Sequence, residues 1–268
     1  MPLRALAAAG LAAVLAVGVP AAATAVTDAA PRPAAQQPTA PRALPPYHPA
    51  NLTGLDGAGQ VVVVTARGWR STRGWLRTYE RRTDGAWRQV DRAVPAWLGR
   101  HGMAPAATRR QSTGTTPAGT FALVGAFGSR PDPGTAMPYR RFDRDDRWPY
   151  DPRDPATYNV LQTRDAPGRW RPWYVEHLWR LRDQYRYVAV IDYNLPPGPV
   201  VVRDGLRVTL RPADTRAGGG IFLHVDDDRP TAGCVGIDVD RMRRVLRWLD
   251  PAAHPHIVIG PTSALPRA

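Results

Sequence analysis

Lysine is absent from the chain, so all 36 of its Lys or Arg residues are arginines, and the formal net charge is +13. A surface of this charge attracts anions. The arginines are scattered along the chain, and no nucleic-acid-binding motif accompanies them. We therefore expect no nucleic-acid partner. For a protein outside a cell, we expect such a surface to attract anionic wall polymers or lipid head groups.

Cysteine occurs once, at position 234. This thiol has no partner in the chain for a disulfide, and secreted proteins usually keep their cysteines in pairs. A structural zinc site needs four Cys or His ligands, and the surroundings of Cys234 do not supply them. We expect no metal and no cofactor. Two interpretations remain, a reactive thiol and an inert buried one.

Long apolar runs are absent after the first 25 residues. That first run follows Arg4 and ends at the small residues Ala23-Thr24-Ala25, which predicts a secretory signal peptide over residues 1–25. Gly18 and Pro20 keep it below the ~20 apolar residues of a spanning helix. We expect a secreted protein of the cell wall or another extracytoplasmic space, without stable membrane insertion after processing.

Residues 26–50 are rich in Ala, Pro and Gln, a composition that predicts an extended linker. Residues 51–262 then form one predicted catalytic domain, and residues 263–268 a tail. Strand-like runs dominate this domain. They are Val61–Val64, Leu76–Glu80, Ala86–Val90, Tyr187–Tyr193, Val200–Val202, Leu206–Leu210, Ile221–Val225 and Ile257–Ile259.

The two Asp-Gly pairs at Asp84-Gly85 and Asp204-Gly205 predict hairpin turns, because type I′ turns need positive φ. One helix is predicted after Cys234. Asp238 is placed to cap it, and apolar residues follow at helical spacing. These residues are Met242, Val245, Leu246 and Leu249.

Two segments have open interpretations. Residues 114–121 read as a turn that leads into a strand. Residues 128–185 are rich in Trp, Tyr and Pro, and form either a substrate wall or lid, or packing for a long insertion. The acidic residues within 143–154 lack the DxDxDG order of a calcium loop, so we expect no metal there.

The chemistry concentrates where His224 ends an apolar run and Thr231-Ala232-Gly233 leads into Cys234. Nucleophilic catalysis by cysteine needs a thiolate, which a nearby histidine favours, a base, and N–H donors for the developing oxyanion. Cys234 fits the nucleophile, His224 the base, and Gly233 a position where substrate can approach the N–H groups. The loop residue His101 is a second imidazole, but its surroundings offer no partner.

These residues resemble a known family. His224 followed by Thr231-Ala232-Gly233-Cys234-Val235 is similar to the His…Ser/Thr-x-Gly-Cys signature of the L,D-transpeptidase (YkuD-like) catalytic domain. Thr116–Phe121 matches the TPxGxF element of that family. Residues 155–159 and 193–194 resemble its secreted, insertion-bearing branch. The resemblance implies a mainly β fold, a β-sandwich of mixed sheets with one helix after the cysteine.

The resemblance also implies an activity. The thiol would attack the carbonyl of the third residue of a peptidoglycan stem peptide and form a thioester, and a neighbouring stem amine would then give a 3→3 cross-link. Cys234 would be the nucleophile, His224 the base, and the N–H groups of Gly233 and Cys234 the oxyanion donors. Trimming by water, as in an L,D-carboxypeptidase or endopeptidase, and a non-catalytic wall-binding protein remain alternatives.

Two departures from the family pattern concern substrate binding. Thr231 stands where the signature usually has serine, which keeps a hydroxyl group. Gly236 stands where many members have an arginine two residues after the cysteine. If that arginine binds a substrate carboxylate, another arginine must replace it here, or the substrate differs.

Overall fold

The computed structural model describes residues 43–266. The signal peptide predicted over residues 1–25 and most of the predicted linker lie outside these residues. Short strands dominate the rest. They are β1 Gln60–Ala66, β2 Arg73–Arg81, β3 Trp87–Gln89, β4 Val94–Trp97, β5 Met103–Pro105, β6 Thr116–Gly128, β7 Tyr139–Arg141, β8 Arg147–Pro149, β9 Val175–His177, β10 Val188–Ile191, β11 Val200–Arg203, β12 Leu206–Thr209, β13 Phe222–Val225, β14 Val235–Ile237 and β15 His256–Pro261.

One mixed sheet organises the fold. Its strand order is β1-β15-β6-β10-β13-β14-β4-β2-β3, and β2 also pairs with β1, so the sheet closes on itself. The β1–β15 and β13–β14 pairs are parallel, and most of the others are antiparallel. The expected mainly β fold with mixed sheets is therefore confirmed. Strands β11 and β12 form a separate hairpin whose turn residues, Asp204 and Gly205, both have positive φ.

The inner face of the closed sheet holds the main core. Alternate residues of each strand contribute to it, because successive side chains of a strand point to opposite faces. Val62 and Val64 of β1, Leu223 and Val225 of β13, and Ile257 of β15 belong to this cluster. The continuous valine run predicted as a buried strand is buried on both faces, since Val61 and Val63 pack in a second cluster outside the sheet.

The single α-helix of the described residues, α1, spans Val239–Trp248 and directly follows β14. The Asp238 side chain accepts hydrogen bonds from the N–H groups of Asp240 and Arg241, as the sequence predicts for a cap. Met242, Val245 and Leu246 are buried in the main core. Because the helix is fixed at its N-terminus and along its buried face, it anchors strand β14, which directly follows Cys234. No helix among residues 43–266 is long and apolar enough to cross a bilayer.

Strand β6 begins earlier than the sequence suggests. Residues 116–121, read there as the end of a turn, already belong to the strand, because Thr116 pairs with Met103 and residues 119–122 pair with β15. Residues 43–50, placed in the linker, also pack on the domain. Pro49 is buried, and the Tyr47 ring lies against the Arg77 guanidinium. In the predicted tail, Leu265 is buried in the outer cluster.

The insertion between β6 and β10 covers the outer face of β10 and β13. Phe142, Trp148, Leu178 and Tyr185 pack there against Phe222. Ion pairs between arginines and aspartates of low exposure hold the insertion in shape. Asp151, 2% exposed in its side chain, accepts from the backbone N–H of Arg171 at 2.9 Å and from its Nε at 3.0 Å. Asp146 pairs with Arg140, and Asp154 with Arg169. The acidic residues of this segment therefore bind arginine side chains.

Replacing Leu246 by alanine should lower the free energy of unfolding by about 2–5 kcal/mol, because this side chain is fully buried and leaves a cavity. The matched control is Leu210→Ala, since Leu210 is 59% exposed and should change stability by less than about 0.5 kcal/mol. Denaturant unfolding measures both. Equal losses would contradict the described position of the helix.

The Asp151 pair should stabilise the protein in a pH-dependent way. The hydrogen bonds from Arg171 lower the pKa of Asp151 from its usual value to about 2. A lowered pKa gives stability that is complete above the pKa of the unfolded chain, about 4, and is lost as the pH falls towards 2. Asp151→Asn should therefore cost about 1–3 kcal/mol at neutral pH, and the difference from wild type should shrink below about pH 4. A pH-independent difference in urea unfolding would disprove this.

Candidate active site

Two adjacent parallel strands position the candidate residues. His224 lies in β13 and pairs in register with Gly236 of β14, and Cys234 directly precedes β14. Phe222 and His224 share the outer face of β13, since they are two residues apart. The structure therefore brings the cysteine and the histidine identified in the sequence to one face of the sheet, beneath the insertion.

The backbone of Cys234 is fixed from two directions. Its carbonyl oxygen accepts a hydrogen bond from Thr231 Oγ1 at 2.8 Å and another from Thr116 Oγ1 at 3.2 Å. Thr116 is fully buried and is the first residue of the TPxGxF element. The two motifs identified separately in the sequence thus meet at one carbonyl group, and their threonines set the position of the thiol-bearing residue.

The thiol itself lies against the start of β13. Cys234 Sγ donates to the Gly220 carbonyl oxygen at 3.3 Å and accepts from the Phe222 N–H at 3.4 Å. The side chain is 7% exposed. Burial, and then the nearby Glu176 carboxyl, raise the pKa of Cys234 to about 12. In the resting site the sulfur is therefore a neutral thiol at neutral pH, not the thiolate that a histidine beside it would favour.

His224 is held in one tautomer. Its Nδ1 lies 2.7 Å from the Val225 carbonyl oxygen, and a carbonyl oxygen only accepts, so Nδ1 carries the proton. Burial lowers the pKa of His224, so the ring is neutral and Nε2 is left with its lone pair. The ring also packs edge-on against Tyr185, with centroids 5.4 Å apart. A neutral imidazole with a bare Nε2 can accept a proton.

A carboxyl group also faces the site. The Tyr185 hydroxyl donates to Glu176 Oε2 at 2.7 Å, and Glu176 Oε1 lies 3.7 Å from the position that a Cβ at Gly220 would take. Burial raises the pKa of Glu176 to about 7, and the hydrogen bond from Tyr185 opposes part of that rise. Glu176 therefore changes charge near neutral pH, close to Gly220, whose carbonyl oxygen accepts the hydrogen bond from the thiol.

A cavity of about 530 Å³ opens over these groups, within the usual size range of small-ligand sites. Cys234 and His224 both line it. The insertion supplies a wall that includes Tyr150, Trp173 and Glu176, and the Thr231–Gly233 turn supplies another. Residues 128–185 contribute both to the cavity wall and to aromatic packing, because Trp173 lines the cavity while Trp148 is buried. That this wall binds substrate stays a prediction.

The remaining candidates occupy different positions. Thr231 lines the cavity, and its Oγ1 also accepts the Gly233 N–H at 3.1 Å. The Gly233 N–H is therefore engaged in this structure, whereas no side chain of the described residues accepts from the Cys234 N–H. Gly236 lies beside His224 and outside the cavity lining, where a Cβ would come within 3.1 Å of Asp226. His101 is exposed and bonds the Thr113 carbonyl oxygen.

Asn159 is a positioning residue that the sequence motifs indicated only indirectly. Its Oδ1 accepts from the Gly220 N–H at 2.9 Å, and its Nδ2 donates to the carbonyl oxygens of Tyr193 and Asn194. The two segments that resembled the secreted branch, residues 155–159 and 193–194, are thus joined through this side chain. Asn159 fixes Gly220, and Gly220 binds the thiol.

Residues 77–259 match the family model of the L,D-transpeptidase catalytic domain, YkuD. The match covers both threonines that hold Cys234, the histidine, the cysteine and the insertion. The chain belongs to the L,D-transpeptidase catalytic domain family. It is therefore an enzyme of a family that acts on peptidoglycan. No curated protein matches the chain in a sequence comparison.

Among residues 43–266, no group of three or more His, Cys, Asp or Glu side chains could hold a metal ion. In the acidic loop after His224, Asp227 instead pairs with Arg229 and accepts from Gln184 of the insertion at 2.6 Å. This loop therefore ties the turn before Cys234 to the cavity wall.

Replacing Glu176 by glutamine should make the Cys234 thiol more reactive above neutral pH. Below about pH 6 the wild-type carboxyl is neutral, so the two proteins should react alike with iodoacetamide. Above about pH 8 the ionised Glu176 opposes thiolate formation, and the variant should react about tenfold faster, which equals one pKa unit. The rate of Cys234 alkylation against pH measures this.

The control for this measurement is Glu80→Gln, because Glu80 is the other glutamate of the chain and pairs with Arg88 on strand β2. Its profile should match wild type. Identical profiles for Glu176→Gln and wild type would show that the Glu176 charge does not reach the thiol.

Proposed function

We propose that this L,D-transpeptidase domain forms 3→3 cross-links between peptidoglycan stem peptides through a thioester on Cys234. The observation that carries the proposal is the meeting of a buried thiol and a neutral, tautomer-fixed histidine on one cavity wall. This arrangement suits general-base catalysis, in which the histidine deprotonates the thiol as it attacks and no thiolate is formed beforehand.

The first half of the reaction is acyl transfer to sulfur. Substrate binding turns the thiol away from the Gly220 carbonyl, and His224 Nε2 accepts the thiol proton as the sulfur attacks the carbonyl of the third stem residue. The Cys234 N–H stabilises the oxyanion, joined by the Gly233 N–H once it leaves Thr231. The carbon–nitrogen bond then breaks, and His224 returns the proton to the departing amine of the D-residue.

The second half transfers the acyl group to an amine. An uncharged amine of a neighbouring stem attacks the thioester, His224 accepts a proton from the attacking nitrogen, and the carbon–sulfur bond breaks. The proton then returns to sulfur and restores the thiol. Water in the place of the amine would release a trimmed stem peptide instead.

The proposal places the enzyme outside the cytoplasm, where peptidoglycan is cross-linked. Its support is the apolar run and the Ala23-Thr24-Ala25 site of the first 25 residues. The excess of arginine fits association with anionic wall polymers.

Mass spectrometry with purified tetrapeptide muropeptides tests the reaction. Wild-type protein should form an acyl adduct on Cys234 and then dimers, and a carbapenem should label the same residue. Cys234→Ala should give neither adduct nor product. His224→Gln should acylate about 10²- to 10⁴-fold more slowly, since the general base is lost.

His101→Gln is the matched control, because this exposed histidine lies outside the cavity, and it should behave as wild type. Trimmed monomers without dimers would assign hydrolysis in place of transfer. A folded wild-type protein with no adduct and no turnover would contradict both enzymatic readings.

A further inference from the structure

A buried arginine faces the candidate active site without an acidic partner. Arg109 is 4% exposed, and no carboxylate of residues 43–266 forms an ion pair with it. A buried charge is costly unless it is paired. Since Arg109 lines the same cavity as Cys234, a ligand in that cavity can supply the missing anion.

Two hydrogen bonds fix the guanidinium. Nε donates to the Thr115 carbonyl oxygen at 2.8 Å, and Nη1 donates to the Ala217 carbonyl oxygen at 2.7 Å. The Tyr193 ring lies beneath it, with Cζ 5.3 Å from the ring centroid. Neither bond uses Nη2. The side chain is therefore held rigidly with one nitrogen left for another partner.

Nη2 borders the residue before the nucleophile. A Cβ at Gly233 would lie 3.0 Å from this atom, and φ at Gly233 is +151°, so only glycine leaves the space open. Gly218 provides space on another side, since a Cβ there would lie 2.4 Å from Nη1. The backbone of Gly218 and Gly233 thus packs directly against the guanidinium, and Nη2 lies beside Gly233, the residue before Cys234.

The other charges of the cavity leave Arg109 uncompensated. Asp227 is already paired with Arg229. Glu176 is held by Tyr185, and burial raises its pKa to about 7, so it carries little charge below neutral pH. The exposed Arg100 adds a second positive charge to the lining. The surroundings of Nη2 therefore favour an anionic group of the substrate.

We propose that Arg109 binds the free α-carboxylate of the D-residue that leaves when Cys234 is acylated. This inference rests on the proposed function. The carboxylate carbon lies three bonds from the attacked carbonyl carbon, about 4 Å away, and the sulfur approaches that carbon to about 3–3.5 Å. A guanidinium beside Gly233 is within reach of such a group, and a fixed N–H fork is suited to a carboxylate.

Arg109 would therefore restrict the enzyme to stems with a free C-terminus. It would also supply the carboxylate-binding arginine that Gly236 cannot provide, because Arg109 lines the cavity. The arginine comes from a loop that precedes β6, more than a hundred residues earlier in the chain.

Binding measurements separate this inference from the proposed chemistry. In a Cys234→Ala background, a tetrapeptide with a C-terminal carboxylate should bind about 10- to 100-fold more tightly than the same peptide with a C-terminal carboxamide. Adding Arg109→Gln should remove this preference and leave carboxamide binding unchanged. Arg109→Lys should keep part of the preference for the carboxylate peptide. Arg110→Gln should keep all of it, because Arg110 is an exposed neighbour outside the cavity lining.

Acylation kinetics give the second readout. With an intact Cys234, Arg109→Gln should lower the acylation rate for the carboxylate peptide to that for the carboxamide. If Arg109→Gln lowers the acylation rate equally for both peptides and leaves their ratio unchanged, the inference is overturned. Arg109 would then support the loop or stabilise the oxyanion.

The carboxylate and carboxamide peptides are compared first on the Cys234→Ala protein, in which Arg109 is unchanged. Equal binding of the two peptides there overturns the inference, even if Arg109→Gln fails to fold. A binding preference without any acylation of wild-type Cys234 would instead support Arg109 and contradict the proposed reaction.

Discussion

The Cys234 sulfur lies against two backbone groups at the start of strand β13, and the rest of the site depends on this contact. It donates to the Gly220 carbonyl and accepts from the Phe222 N–H. Burial at this position keeps the sulfur protonated. The neighbouring histidine must then be neutral to act as a base. Burial lowers its pKa and provides that state, while the Val225 carbonyl fixes the tautomer. The resting site thus avoids an exposed thiolate, and under the proposed mechanism the chemistry begins when a ligand displaces the sulfur.

The outer layer of the domain makes this protection possible. The insertion between β6 and β10 covers the outer face of β13 with aromatic rings, while three of its aspartates pair with its own arginines. The same insertion supplies Glu176 and Tyr185, which set the charge near the thiol. The insertion therefore both buries the Cys234 thiol and raises its pKa. The ion pairs within the insertion stabilise its conformation.

Charge inside the cavity is unevenly distributed. The Glu176 carboxyl shares a hydrogen bond with Tyr185, and burial raises its pKa to about 7, so it changes charge near neutral pH. Arg109 is positively charged, and its guanidinium is fixed by carbonyl oxygens that do not cancel this charge. Under the proposed function, this positive charge would attract the terminal carboxylate of a stem peptide and orient the peptide before the sulfur attacks its carbonyl.

Local patterns in the sequence determined the strands, turns and helix that depend on interactions between residues close together in the chain. The valine run, the two Asp-Gly turns, the Asp238 cap and the helical spacing of Met242 and Leu246 each express a backbone preference within a few residues. The lone cysteine, the histidine and the Gly-Cys context identified the candidate nucleophile and its family. Only the tertiary structure decided which groups surround them. Thr116, Asn159, Glu176 and Arg109 reach the site from distant positions, and Arg109 is one of 36 arginines with no local signal. Burial and the absence of a partner distinguish it, and both exist only after the sheet has closed and the insertion has packed.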